Sequence, residues 1–231
     1  MTAFSPLSGT IAERIFQIRQ TLPPSVRLIA VSKQMSVAAI QEAYRAGMRD
    51  FGESRIQEAE LKQEQLQDLT DINWHFIGHL QANKAQKALE RFQWIHSVDS
   101  LKLAQRLNRL AANLPETPQI LLQVKMLPDP NKSGWSIAEL WQDLSDLYEC
   151  RNLKIRGLMT IPPLNLTTSE TLKVFQQAAE LAAQIREKAS QIDSQIKMEQ
   201  LSMGMSGDYG LAIQAGATMV RLGRVLFGDR D

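Results

Sequence analysis

One cysteine, Cys150, occurs in 231 residues, so no intramolecular disulfide can form. No apolar run approaches the roughly 20 residues that span a bilayer. Met1 to Gly9 has neither a basic leader nor an apolar core, so no secretory signal is expected. Charge of one sign is also missing: 26 Lys and Arg face 25 Asp and Glu, for a net +1. A dedicated nucleic-acid binder carries a basic excess, and none is visible. Aromatic residues make up only 6%, yet the chain is 44% hydrophobic and 22% charged, which excludes disorder and fibrous repeats. A soluble cytoplasmic protein is expected. No linker or composition shift divides the chain, so residues 1–231 are read as a single domain.

What is present is a repeating unit. Ile11, Ile15, Ile18 and Leu22 repeat at helical spacing, and Pro23 and Pro24 stop that helix. Arg27 to Lys33 then reads as a strand buried on both faces. Ser36 can cap a helix over Val37 to Ala46, which Gly47 can end. Further strands are expected at 50–54, 73–78, 94–98, 119–124, 154–161, 199–203 and 218–222. Helices are expected at 55–66, 83–92, 101–112, 136–150, 169–190 and 208–215. Eight strands separated by single helices imply parallel crossovers. Eight also closes an α/β barrel of the (β/α)8, or TIM, type, with the first helix as an extra N-terminal element. An open doubly wound sheet competes, but it would show a glycine fingerprint after its first strand. Ser32-Lys33-Gln34-Met35-Ser36 has no glycine.

In such a barrel ligands bind where strands end. Alternation places Ile29, Val31 and Lys33 on one face of the first strand. Lys33 is either a lysine reaching out to solvent or an amine in a partly desolvated pocket. In the second case burial favours the neutral form, which can attack an aldehyde and form a Schiff base. After the seventh strand comes Ser202-Met-Gly-Met-Ser206-Gly207-Asp208, and the eighth ends in Arg221-Leu-Gly223-Arg224. Glycine loops at these two positions suit a phosphate; the alternative is a turn followed by a helix cap. Arg221 stands in an apolar run, where an inward guanidinium without an anion would be costly. His75, His79 and His96 do not have metal-site spacing on strands and are read as packed or hydrogen-bonded residues. Gly204-Met-Ser206 lacks the final glycine of a nucleophile elbow. The charged stretch Glu53 to Asp68 is read as a solvated face, and Cys150 as structural.

Ala30-Val-Ser-Lys33, Phe51-Gly-Glu-Ser-Arg-Ile-Gln-Glu58, Trp74-His-Phe-Ile-Gly-His-Leu-Gln-Ala-Asn-Lys84, Ser97-Val-Asp99 and Lys132-Ser-Gly134 occur in that order. Gly157-Leu-Met159, Leu201-Ser-Met-Gly-Met-Ser206, Val220-Arg-Leu-Gly223 and Phe227-Gly-Asp-Arg230 follow. Over Arg27 to Arg230 this set resembles the pyridoxal phosphate (PLP) homeostasis protein family, of YggS/PROSC type. The resemblance implies a barrel of the alanine-racemase N-terminal-domain type, PLP fold type III. It implies PLP held as a covalent imine on Lys33, with the phosphate at Ser206, Gly207 and Gly223. It places Arg221 at the cofactor, facing either the phosphate or the pyridine nitrogen, and adds Met159 and Met203. Where the family has Asn after Phe-Gly-Glu, this chain has Ser54, a shorter side chain with one donor.

The resemblance further implies a non-catalytic role in vitamin B6 and amino-acid balance, with no catalytic residue and no metal. Racemases of this type need a second acid/base from a separate domain, and the chain ends eight residues after Gly223, so no such domain is expected. The partners implied are PLP and apo PLP-enzymes, with no nucleic acid and no membrane, and the chain is expected to be a monomer. The alternative is a PLP-dependent racemase or lyase acting on an amino acid. An interaction protein that has lost PLP is a third class, which Lys33 argues against.

Overall fold

The computed structural model describes residues 8–192 and 195–228. Eight parallel strands close into a barrel. In chain order they are β1 (Arg27–Val31), β2 (Asp50–Glu53), β3 (Asn73–Phe76), β4 (Trp94–Val98), β5 (Gln119–Lys125), β7 (Lys154–Met159), β8 (Gln200–Ser202) and β9 (Met219–Leu222). Each pairs with the next, β4 pairs with β5, and β9 returns to β1. The two-residue β6 (Trp135–Ser136) only extends the end of β5. The eight strands expected from the sequence are thus the eight barrel staves.

The helices lie outside: α1 (Ile11–Thr21), α2 (Val37–Arg45), α3 (Ile56–Gln65), α4 (Ala85–Arg91), α5 (Leu101–Ala111), α6 (Ile137–Tyr148), α7 (Thr168–Ser190) and α8 (Tyr209–Gln214). A last turn, α9 (Arg224–Phe227), follows Gly223. Local chemistry explains four of the starts. Thr10, Ser136 and Thr167 each form a capping box with a Glu three residues on. Ser36 caps α2 by accepting from Ala39 N. Ser100 stands at the N-cap of α5, but its hydroxyl donates to Asp99, so no side chain caps that helix. The fourth helix opens with a 3-10 turn at Ala82–Lys84, and its start has no capping side chain. On α5, Leu103, Ala104, Leu107 and Ala111 face in, while Lys102, Arg106 and Arg109 stay out.

Strand alternation makes two cores. On β1, Leu28 and Ala30 join the large layer between strands and helices. Ile29 instead points inward, where it packs with Trp94, Leu121, Met159 and Met219. Gly157 is required by close approach: a Cβ there would lie 1.8 Å from the carbonyl of Gln200 on β8. Among the described residues no helix is long and apolar enough to cross a membrane.

Candidate functional site

The site assembles where β1 and β9 leave the barrel. Ile29 is in register with Arg221 and Ala30 with Leu222. A Cβ on Gly223 would come within 3.4 Å of the Val31 carbonyl. The loop carrying Lys33 therefore emerges beside the turn at Gly223.

Lys33 is half-buried, and both of its neighbours are anchored. The buried Lys62 ammonium donates to Ser32 O at 2.8 Å, to Glu53 Oε1 at 2.8 Å and to Glu58 Oε1 at 2.7 Å. Ser32 Oγ donates to Glu53 Oε1 at 2.7 Å. The Gln34 N–H donates to Glu58, and Gln34 takes φ +62°, a left-handed conformation. Burial pushes the Glu53 carboxyl above its usual range, against the Lys62 and Ser32 hydrogen bonds. Burial also raises Glu58, but there the Lys62 and Gln34 hydrogen bonds win and its carboxyl lies below the usual range. Glu53 Oε2 is buried with no hydrogen-bond partner.

This ion cluster corrects the reading of Glu53 to Asp68 as a solvated face. Ile56, Ala59, Lys62 and Leu66 form one inward stripe, and Lys62 occupies a position that would ordinarily be apolar. The spacing from Ile56 was the available signal.

Arg221 turns into the barrel and is 4% exposed. Its NH1 donates to Ser202 Oγ at 2.6 Å and its NH2 to Thr160 O at 3.1 Å. Burial lowers its pKa to about 10, with Asp208 opposing, so it keeps its charge at neutral pH. Among the described residues, no carboxylate forms an ion pair with it. Below Arg221 a polar file runs through the interior. Ser202 Oγ lies 2.8 Å from His96 Nδ1, His96 Nε2 lies 2.9 Å from His75 Nδ1, and His75 Nε2 lies 2.9 Å from Asp50 Oδ1. His75 and His96 are thus buried hydrogen-bonded residues. His79 is exposed, 3.1 Å from Asp99.

The loop after β8 is shaped by Gly204, at φ +90°, and by Asp208, whose Oδ1 accepts from Met205 N at 2.6 Å. Burial pushes the Asp208 carboxyl up, against that hydrogen bond and the nearby Arg221. Ser206 is half-buried and Gly207 exposed, and a Cβ on Gly207 would meet nothing within 4 Å. Among the described residues, the N–H groups of Ser206, Gly207 and Gly223 make no intramolecular hydrogen bond. Met159 belongs to the interior cluster, whereas Met203 is packed in the outer layer between strands and helices. Ser54 lines a small cleft of about 140 Å³ with Arg55, His79 and Lys84. The sequence singled out Lys33, Arg221 and the two glycine loops, and these gather at one end of the barrel. It did not single out Glu53, Lys62, Ser202 or Thr160.

Residues 8–231 match the family model described as "Alanine racemase, N-terminal domain". A protein of Synechocystis named pyridoxal phosphate homeostasis protein is 55% identical over 93% of this chain and 96% of its own length. Proteins of the same name from Pseudomonas aeruginosa and Escherichia coli K12 are 44% and 38% identical, over 97% of each. PipY of Synechococcus elongatus, solved with PLP bound, superposes with a TM-score of 0.89 at 52% identity, over 95% of this chain and all of that one. An alanine racemase of Clostridium difficile shares the fold alone, with a TM-score of 0.72 at 16% identity over 95% of this chain and 59% of that one. Parallel barrel, converging loops and these likenesses agree: the chain belongs to the alanine racemase N-terminal-domain family and, within it, to the pyridoxal phosphate homeostasis proteins.

Proposed function

We propose that this protein binds PLP at the end of the barrel where β1, β8 and β9 exit, as a covalent imine on Lys33, and serves PLP and amino-acid homeostasis inside the cell without turning over a substrate. The observation that carries this is the buried Arg221, which has no carboxylate ion pair among the described residues, between a half-buried lysine and two loops with free N–H groups. A buried guanidinium without an ion pair is costly, and a ligand that brings an acceptor to it, an anion to the free N–H groups and an aldehyde to the lysine fits this donor set at each point. PLP binding by the similar PipY supports the same reading.

The chain's own residues divide the work. Lys33 supplies the amine, on a loop whose two sides are tied to Lys62 and Glu58. Ser206 with the N–H groups of Ser206, Gly207 and Gly223 receives the phosphate. Arg221 lies two residues before Gly223 and faces inward, so it would hold the ring of PLP at its nitrogen rather than the phosphate. A guanidinium only donates, so it would favour an unprotonated ring nitrogen there. Bound PLP supplies an electron sink, and an unprotonated ring weakens that sink, which supports storage over catalysis. Apo PLP-enzymes are the natural recipients, and a monomer suffices for a site built from one chain.

Equilibrium dialysis tests the site. Lys33→Ala should lose the imine absorption band yet still bind PLP reversibly, because charge-assisted phosphate bonds contribute about 1.5–3 kcal/mol each. Pyridoxal, which lacks the phosphate, should bind poorly. Equal binding of pyridoxal and PLP would remove the phosphate site from this end. Turnover of any L- or D-amino acid at roughly 1 s⁻¹ or faster, the low end of ordinary enzymes, would favour a racemase or lyase instead.

A further inference from the structure

The interior file from Asp50 to Arg221 has fixed ends. A guanidinium has five N–H donors and no acceptor, so Ser202 Oγ must accept from Arg221. The Asp50 carboxylate, with Arg27 3.6 Å away, can only accept. Between them stand one hydroxyl and two imidazoles, each with a single hydrogen when neutral. Only one arrangement satisfies every link. Ser202 donates to His96 Nδ1, His96 donates from Nε2 to His75 Nδ1, and His75 donates from Nε2 to Asp50. The reverse arrangement would leave an unprotonated His75 Nε2 against a carboxylate oxygen at 2.9 Å, two acceptors in contact.

We propose that Asp50, His75, His96 and Ser202 are positioning residues for Arg221: a one-way hydrogen-bonded chain through the barrel that locks both histidines as neutral Nε2–H tautomers and presents Arg221 to the ligand as a fixed donor. The proposal rests on the reading that Arg221 meets the ring of PLP, and it extends that site to the opposite end of the barrel. There Asp50 and Arg27 line a cleft of about 500 Å³.

The surroundings disfavour an added proton. His75 faces Asp50 from β2, Arg27 from β1, and His96 and the stacked Trp94 ring from β4. His96 faces His75 from β3, Ser202 from β8, and the charges of Arg221 on β9 and Arg27 on β1. Burial pushes both imidazoles below the ordinary histidine value, His96 furthest because His75, Arg221 and Arg27 add to it; Asp50 opposes the shift only at His75. A second proton on His75 would set donor against donor at His96. Relieving that conflict would turn His96 toward Ser202 and leave the serine hydrogen without its acceptor.

The test needs no ligand. Long-range ¹H–¹⁵N NMR of the ¹⁵N-labelled apo protein reads the tautomer of each histidine, and exposed His79 provides the third set of signals. The expected result is an Nε2–H pattern for His75 and His96 that stays constant from pH 8 to pH 6. An Nδ1–H tautomer at either residue, or titration of either across that range, overturns the proposal. A second arm reads PLP dissociation. Asp50→Leu should speed release by about two- to tenfold, while Asp50→Asn, which keeps an acceptor oxygen, should restore it. Equal rates in wild type and both variants would show that the chain does not reach Arg221. Absence of PLP binding in wild type would defeat the proposed function, while the NMR result would still decide whether the chain exists.

Discussion

The two ends of the candidate site are held by opposite kinds of chemistry. Around Lys33 the anchor is ionic: Lys62 is shared among Ser32, Glu53 and Glu58, all within 2.8 Å. Behind Arg221 the anchor is a file of a hydroxyl and two imidazoles ending on a carboxylate. The ionic anchor is compact and grips a loop whose backbone takes an unusual conformation at Gln34. The file is extended and holds one side chain from behind. A loop needs several backbone contacts to stop moving, whereas a guanidinium on a strand needs only its hydrogen-bond direction set.

The largest effect should come from breaking the ionic anchor. Lys62→Met leaves Glu53, fully buried, without its cation. Removing one partner of a buried pair costs about 3–5 kcal/mol. Urea unfolding should show that loss. Adding Glu53→Gln to Lys62→Met should recover part of it, because the stranded charge is then gone. A Lys62→Met protein as stable as wild type would mean that the ammonium is not what holds the Lys33 loop.

Acid should separate the two anchors by sign. His75 and His96 have folded pKa values below the ordinary value, so the unfolded chain binds more protons than the folded one below about pH 6.5. Their contribution is full above that pH and is lost as pH falls toward their folded values, at up to about 1.4 kcal/mol per pH unit each. Glu53 has a folded pKa above its ordinary value, so the folded state takes that proton first and acidification favours it. Urea midpoints between pH 7.5 and pH 5.5 should fall in wild type. The fall should be shallower in His75→Gln. A midpoint unchanged over that range would place the histidine protons elsewhere.

The smallest stability effect belongs to the phosphate loop. A Cβ on Gly207 meets no atom within 4 Å, so Gly207→Ala should shift stability by less than about 0.5 kcal/mol. The same methyl group stands where the proposed phosphate approaches, so PLP affinity should drop while that of pyridoxal stays low. Unchanged PLP affinity would move the phosphate away from Gly207.

These contrasts also mark what the sequence could express. The barrel was legible because short strand-like segments alternate with helix signals, and the eight segments are the eight paired strands. The two residues of β6 and the four of α9 are too short to carry a period. Arg221 stood out because a charge inside Met219-Val-Arg-Leu222 contradicts its surroundings. Lys62 did not, because a lysine on a charged helix looks solvated until the stripe of Ile56, Ala59 and Leu66 is followed inward. The file from Asp50 to Ser202 joins four strands, with consecutive members up to 106 positions apart, and no local spacing encodes such contacts. Lys33, by contrast, is singled out by its position after an apolar strand, although β1 ends at Val31 and Lys33 lies in the turn beyond it rather than on the strand face that alternation implied.

The central claim is that Lys33 is the covalent anchor at the end of the barrel where β1, β8 and β9 converge. Borohydride reduction of the protein loaded with PLP, followed by peptide mass analysis, tests it most directly. The reduced PLP mass should appear on the peptide containing Lys33 and should be absent from Lys33→Ala. A label on another lysine with Lys33 free, or no label on a protein saturated with PLP, would contradict the account.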